Sequence, residues 1–97
     1  MPRRTRTPSP EATLDLHGMT QTQAHQLLSI QMARWVAQGL RCMCIVTGKG
    51  REGEGVLKRE VPRWLTLTAL GAHVRDITPA PRTQGGDGAL LVFLKRG

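Results

Sequence analysis

Between Thr13 and Val46 the apolar residues change their spacing twice, and each change falls at a glycine. From Thr13 to His17 they alternate, with Leu14 and Leu16 on one side and Asp15 and His17 on the other. That is the pattern of a short, half-buried strand. Gly18 breaks it. Ala24, Leu27, Leu28, Met32 and Trp35 then recur at helical intervals and make one apolar face. Thr20 followed by Gln23 is a capping-box pattern, and Gly39 stands where a left-handed C-cap belongs, so a helix over Gln21 to Gln38 is predicted. Leu40 to Val46 (LRCMCIV) is apolar nearly throughout, as in an interior strand with much of both faces covered. A strand, an amphipathic helix and a second strand make a right-handed crossover that pairs the two strands in parallel.

The remainder extends this unit. Thr47 to Gly55 (TGKGREGEG) is a loop of glycines and charges. A second helical stretch is predicted from near Val56 to about Thr68, burying Val56, Leu57, Val61, Trp64 and Leu65. Pro62 lies inside it and is expected to kink it or to open a new turn. Ala72 to Thr78 reads as a third strand, although Val74 and Ile77 do not keep a two-residue alternation. After a polar loop from Pro79 to Gly88, Ala89 to Lys95 is a strongly apolar fourth strand. The order β-α-β-α-β-β predicts an α/β chain built as an α+β two-layer sandwich, with two helices and a four-stranded mixed sheet. The crossovers favour parallel neighbours, and the last strand can return antiparallel. Ninety-seven residues suffice for one domain. Residues 1–12, with three prolines and three arginines, are expected to form a flexible basic arm, and residues 13–97 the domain.

Charge points to the partner. The chain has 14 basic and 7 acidic residues, a balance of +7, and most of the bases are arginine. Without Arg3, Arg4 and Arg6 the excess persists, at 11 against 7. Such a surface favours a polyanion, and the guanidinium fork suits phosphate oxygens. Trp35, Trp64 and Phe93 are the only aromatic residues, too few for a base-stacking platform. Cys42 and Cys44, alternate residues of one strand, are badly placed to bond to each other, so a disulfide framework is excluded and a reducing cytoplasm is expected. No segment reads as a membrane span or an export signal, and a monomer is expected.

Ligands of open α/β sheets bind beyond the carboxyl ends of parallel strands. Asp15-Leu16-His17-Gly18 and Thr47-Gly48-Lys49-Gly50 both lie there. Glycines let backbone N–H groups turn toward a phosphate, the next helix adds its positive end, and Lys49, Arg51, Lys58 and Arg59 add charge. The loop lacks Walker spacing; it fits G-x-G-x-x-G but follows the second strand, with no acidic partner at the required distance. Asp15 beside His17 can fix the imidazole tautomer for proton transfer at a phosphodiester. The alternative for His17 is a structural hydrogen bond closing the turn before Gly18. Cys42-x-Cys44 lacks the further ligands of a zinc site and reads as two small buried hydrophobes, and His25 and His73 carry no assigned role.

Together these segments resemble the Smr (small MutS-related) domain family, in particular its stand-alone bacterial form. The likeness rests on Leu14-Asp15-Leu16-His17-Gly18, Gly39-Leu40-Arg41, Thr47-Gly48-Lys49-Gly50, Gly55-Val56-Leu57-Lys58, Pro62-Arg63-Trp64-Leu65 and Gly85-Gly86-Asp87-Gly88-Ala89-Leu90. It covers about Thr13 to Lys95. It implies the same β-α-β-α-β-β sandwich and a nuclease activity on DNA or RNA. Asp15 and His17 are then the functional pair, and Gly48 and Gly50 the family's G-x-G. One residue departs: the position before that G-x-G is commonly histidine, and here it is Thr47, which can donate to a phosphate but cannot exchange a proton near neutral pH.

Two principal functions remain open at this stage. One is an endonuclease in which Asp15 orients His17 as general acid or base, while Thr47, Gly48, Lys49, Gly50, Arg51, Lys58 and Arg59 hold the nucleic acid. RNA cleavage through the 2′-hydroxyl would need no cofactor; DNA cleavage would call for a divalent ion such as Mg or Mn. The other is a non-catalytic module that binds nucleic acid or the ribosome. A weaker third reading is a small-molecule phosphate or nucleotide binder at the same loop.

Overall fold

The computed structural model describes residues 9–49, 55–81 and 86–95. Gly50, Arg51, Gly85 and the arginines at 3, 4 and 6 lie outside these described residues. The elements are β1 (Ala12–Asp15), α1 (Gln21–Gln38), β2 (Cys42–Val46), α2 (Gly55–Leu67), β3 (Val74–Pro79) and β4 (Ala89–Leu94). Single 3-10 turns at Ala69–Gly71 and Gly86–Gly88 complete the described chain.

Both ends of α1 are set by local chemistry. Thr20 is extended, its hydroxyl accepts from the Gln23 N–H at 3.1 Å, and its own N–H donates to the Gln23 side chain at 3.1 Å. This reciprocal pair satisfies two donors that a helix start otherwise leaves without partners. At the other end Gly39 adopts φ 73°, and the Gly39 and Leu40 N–H groups turn back to the Val36 and Trp35 carbonyls. The left-handed turn delays β2, which begins at Cys42 rather than at Leu40. Pro62 supplies no N–H to the turn before it, yet α2 is one helix from Gly55 to Leu67 with Pro62 inside it. Val61, Trp64 and Leu65 pack that turn into the core and outweigh the lost hydrogen bond.

Both helices cover one face of the sheet. Ala24, Leu28, Met32 and Trp35 of α1 and Leu57, Val61, Trp64 and Leu65 of α2 meet Met43, Ile45, Leu90, Val92 and Leu94 in one core. The opposite face carries a smaller cluster of Cys42, Cys44, Ala80, Ala89 and Leu91. The result is the expected four-stranded mixed sheet with two helices, in two layers.

Strand order differs in one respect from the expected parallel neighbours. The order is β1-β2-β4-β3, so β1 and β2 are parallel neighbours but β4 separates β2 from β3, antiparallel to both. Burial explains the choice. Four of the five β2 residues and five of the six β4 residues are buried, whereas β3 is half-exposed and ends in Pro79. The most apolar strands take the central places, and a strand with a proline and charges suits the edge. The irregular spacing of Val74 and Ile77 also has a structural cause. Val74 pairs with Leu94 and Asp76 with Phe93, so Arg75 is an extra residue in the ladder. This bulge returns Val74 and Ile77 to the same face, where both pack on the core. The Arg75 guanidinium lies 5.6 Å from the Phe93 ring centroid.

The sheet begins earlier than composition indicates. Ala12 pairs with Met43, and the Glu11 N–H donates to the Cys42 carbonyl at 2.8 Å. The Glu11 carboxylate accepts from the Arg41 N–H at 2.6 Å and the Cys42 N–H at 3.1 Å. Glu11 and Ala12, grouped with the arm by composition, thus hold the start of β1 against β2.

Candidate nucleic-acid site

Parallel pairing of β1 and β2 brings their carboxyl ends together. The Leu16 N–H donates to the Val46 carbonyl at 2.7 Å, carrying the ladder one step past β1. Leu16 is wholly buried, which anchors the turn and directs its neighbours Asp15 and His17 outward. The Met19 N–H closes the turn on the Leu16 carbonyl at 3.1 Å, and Gly18 between them has φ 80°.

Because β4 is antiparallel, its start joins the same end of the sheet, with Ala89 opposite Val46. There the Gly88 carbonyl accepts from the Thr47 N–H at 2.8 Å, the Gly48 N–H at 3.0 Å and the Thr47 hydroxyl at 3.4 Å. A Cβ on Gly88 would lie 3.1 Å from the Gly48 carbonyl carbon and 3.1 Å from Lys49 Cγ. Three segments therefore meet: the Asp15–Gly18 turn, the loop at 47–49, and the Gly86–Gly88 turn.

Asp15 and His17 are joined directly. His17 Nδ1 lies 2.6 Å from Asp15 Oδ1, and the His17 N–H donates to the same oxygen at 3.0 Å. Both side chains stay more than half exposed, at 59% for His17 and 54% for Asp15. Partial burial pushes the Asp15 carboxyl up, but the hydrogen bonds from the His17 ring and backbone outweigh it and hold the group below its ordinary range. An ionised carboxylate only accepts, so Nδ1 carries the proton of this hydrogen bond. In the neutral ring the basic lone pair is then on Nε2.

The other expected site residues are distributed unevenly. Gly48 and Lys49 flank Gly88, and Lys58 lines a cleft together with Thr47 and Gly86. Arg59 turns its Nε to Glu60 at 3.2 Å. Thr47 is 1% exposed and its hydroxyl faces the Gly48 and Gly88 carbonyls, so it braces the two loops together. The role of Gly88 as the acceptor that joins them is not visible in the sequence pattern, because any residue has a carbonyl. Cys42 and Cys44 are buried, and burial pushes both thiols up, which suits packing rather than ligation. His25 stands edge-on to Trp64 with ring centroids 4.8 Å apart, a helix-to-helix contact.

Comparison with known proteins agrees with this geometry. The family model of the Smr domain matches residues 14–95. The chain belongs to the Smr domain family. This Smr domain is 41% identical over 87 residues to the ribosome rescue factor SmrB of Salmonella paratyphi B, covering 90% of this chain and 44% of SmrB. The SmrB of Salmonella newport gives the same figures. The domain thus spans less than half the length of these relatives. In structure it is similar to YdaL, a stand-alone small MutS-related protein from Escherichia coli, with a TM-score of 0.80 and 28% identity over 90% of this chain and 67% of YdaL. The Smr domain of Thermus thermophilus MutS2 gives 0.73 and 25%, over 87% of this chain and 98% of that domain. No helix among the described residues is long and apolar enough to cross a membrane.

Proposed function

We propose that this Smr domain binds nucleic acid at the end of the sheet where its three loops meet, and that its target is RNA on or near the ribosome. One observation carries the reading: the Gly88 carbonyl ties the 47–49 loop to the Gly86–Gly88 turn beside Asp15 and His17. This fixes both loops in place with Lys49 and Lys58 beside them, two cations suited to phosphate oxygens. The net charge of +7 supports a polyanionic partner. The relatives named ribosome rescue factors support the ribosomal setting, and with it the cytoplasm.

A second reading, cleavage, is favoured by the 2.6 Å contact between Asp15 and His17. On RNA, Nε2 of His17 would take the proton of a 2′-hydroxyl as that oxygen attacks the adjacent phosphorus. The P–O5′ bond breaks, and the departing oxygen takes up a proton. Thr47 offers no second proton carrier, so the opposite proton transfer would fall to water. A metal-dependent route on DNA finds thin support in the donor set. Asp15 Oδ1 already accepts two hydrogen bonds, and among the described residues no three His, Cys, Asp or Glu side chains converge.

The test compares the intact chain with His17→Ala on labelled single-stranded RNA, duplex RNA and DNA, with and without EDTA. Wild type is expected to bind RNA, and His17→Ala to retain most of that binding. Absence of binding by wild type overturns the proposal. Product that forms with wild type and vanishes with His17→Ala establishes cleavage; binding without product overturns that second reading alone.

A further inference from the structure

A cleft of about 280 Å³ lies on the β3 side of Thr47, away from Asp15 and His17. Lys58 and Pro62 of α2 form one wall, four residues apart and so on one helix face. Ile77 and Pro79 of the edge strand and Leu90 of β4 also line it. Thr47 and Gly86 belong to its lining as well, so the cleft is continuous with the loops assigned to phosphate. Its volume falls just below the roughly 300–1,000 Å³ of sites for drug-sized ligands. That leaves room for one planar heterocycle and not for a dinucleotide.

We infer that this cleft receives a nucleobase of the bound strand, one next to the nucleotide whose phosphate sits at the 47–49 loop. The inference rests on the proposed nucleic-acid binding and adds a preference for single strands. A base offers two flat apolar faces, which match two proline rings and two aliphatic side chains, and the strand attached to it is anionic where Lys58 stands. The cleft reaches from Thr47 at the end of β2 to Ile77 of β3, one to three strand spacings of about 4.8 Å from β1, so its centre is roughly 10 Å across the sheet from the Asp15–His17 pair. A paired base cannot enter, because its edges and faces are occupied in the duplex, whereas an unstacked base can be splayed out into such a cleft. Among the described residues no aromatic side chain lines the cleft, so recognition here is by shape and apolar contact.

The experiment measures affinity of the whole chain for a single-stranded oligouridylate and for an abasic strand of the same length and charge. Wild type is expected to bind the base-bearing strand at least about fivefold more tightly, as burial of a modest apolar area gives. Pro62→Trp fills the cleft while giving α2 back its missing N–H. It is expected to bring that ratio close to one with affinity for the abasic strand unchanged. Pro79→Trp fills the same cleft from the edge strand and covers the case in which Pro62→Trp does not fold. Equal affinity of wild type for the two strands overturns the inference and leaves phosphate binding standing. A ratio that survives filling by a folded variant also overturns it. Failure to bind either strand overturns the proposed function itself.

Discussion

At the scale of single residues, the Asp15–His17 pair and Glu11 make opposite uses of a carboxylate. Asp15 stands at the exposed end of the sheet and sets which ring nitrogen of His17 holds a proton. Glu11 instead accepts two backbone N–H groups, from Arg41 and Cys42, and these bonds hold its carboxyl below its ordinary value of 4.5. A depressed carboxyl contributes stability that is present above the ordinary value and is lost as pH falls through the lowered one. Glu11→Gln keeps a carbonyl acceptor but no charge. It is expected to be less stable than wild type at neutral pH, with the gap closing as acid protonates Glu11 in the wild type. Urea unfolding from pH 7 down to pH 3 measures this; a gap that is constant across the range contradicts the assignment.

Elements show where local chemistry suffices. The capping box makes α1 begin at Gln21, so Thr20→Ala is expected to cost about 0.5–2 kcal/mol, a fall in Tm of about 4–8 °C for each kcal/mol in a domain this small. Thermal melting followed by circular dichroism checks it, and most nucleic-acid binding should be retained because both cap bonds run between Thr20 and Gln23. Gly88→Ala should behave in the reverse way. Its Cβ would press on the Gly48 carbonyl carbon and on Lys49 Cγ, each at 3.1 Å. The expected result is a modest loss of stability, about 1 kcal/mol, with RNA affinity reduced about tenfold as the two loops separate. Anisotropy titration beside a melt distinguishes a local effect on the site from general unfolding.

For the whole molecule the governing quantity is charge against phosphate. With a net charge of +7, RNA affinity should fall steeply with salt, and log Kd against log salt should be linear. Residues 1–8 contain Arg3, Arg4, Arg6 and no acid, so their removal lowers the net charge to 7 − 3 = +4. If each of these arginines neutralises one phosphate, the slope should become shallower by about 2 on single-stranded RNA, at about 0.7 per phosphate. Titrations at several salt concentrations check this. An unchanged slope would confine the contact to residues 9–97.

The division between sequence and tertiary structure follows the range of the interactions. Helix α1 lies at Gln21–Gln38 as its pattern predicts, because the capping box, the apolar period and Gly39 all act within a few residues. The Asp15–His17 pair was equally readable, since residues two apart in an extended segment share a side, although β1 ends at Asp15 and His17 lies in the turn after it. The placement of β4 between β2 and β3, the bulge at Arg75, the hold of Glu11 on Arg41 and Cys42, and the bond of Gly88 to Thr47 were decided only by the folded chain. These rest on backbone groups far apart in sequence, and every residue type carries much the same backbone. Competition among strands for burial selects such partners, and alternation within one segment cannot record its result. The sequence by itself marked the Asp15–Leu16–His17–Gly18 turn and the glycine loop as a site. Tertiary structure decided that a third turn meets these two segments and that a cleft opens beside them, because packing of α2 on β3 and β4 is what shapes that cleft.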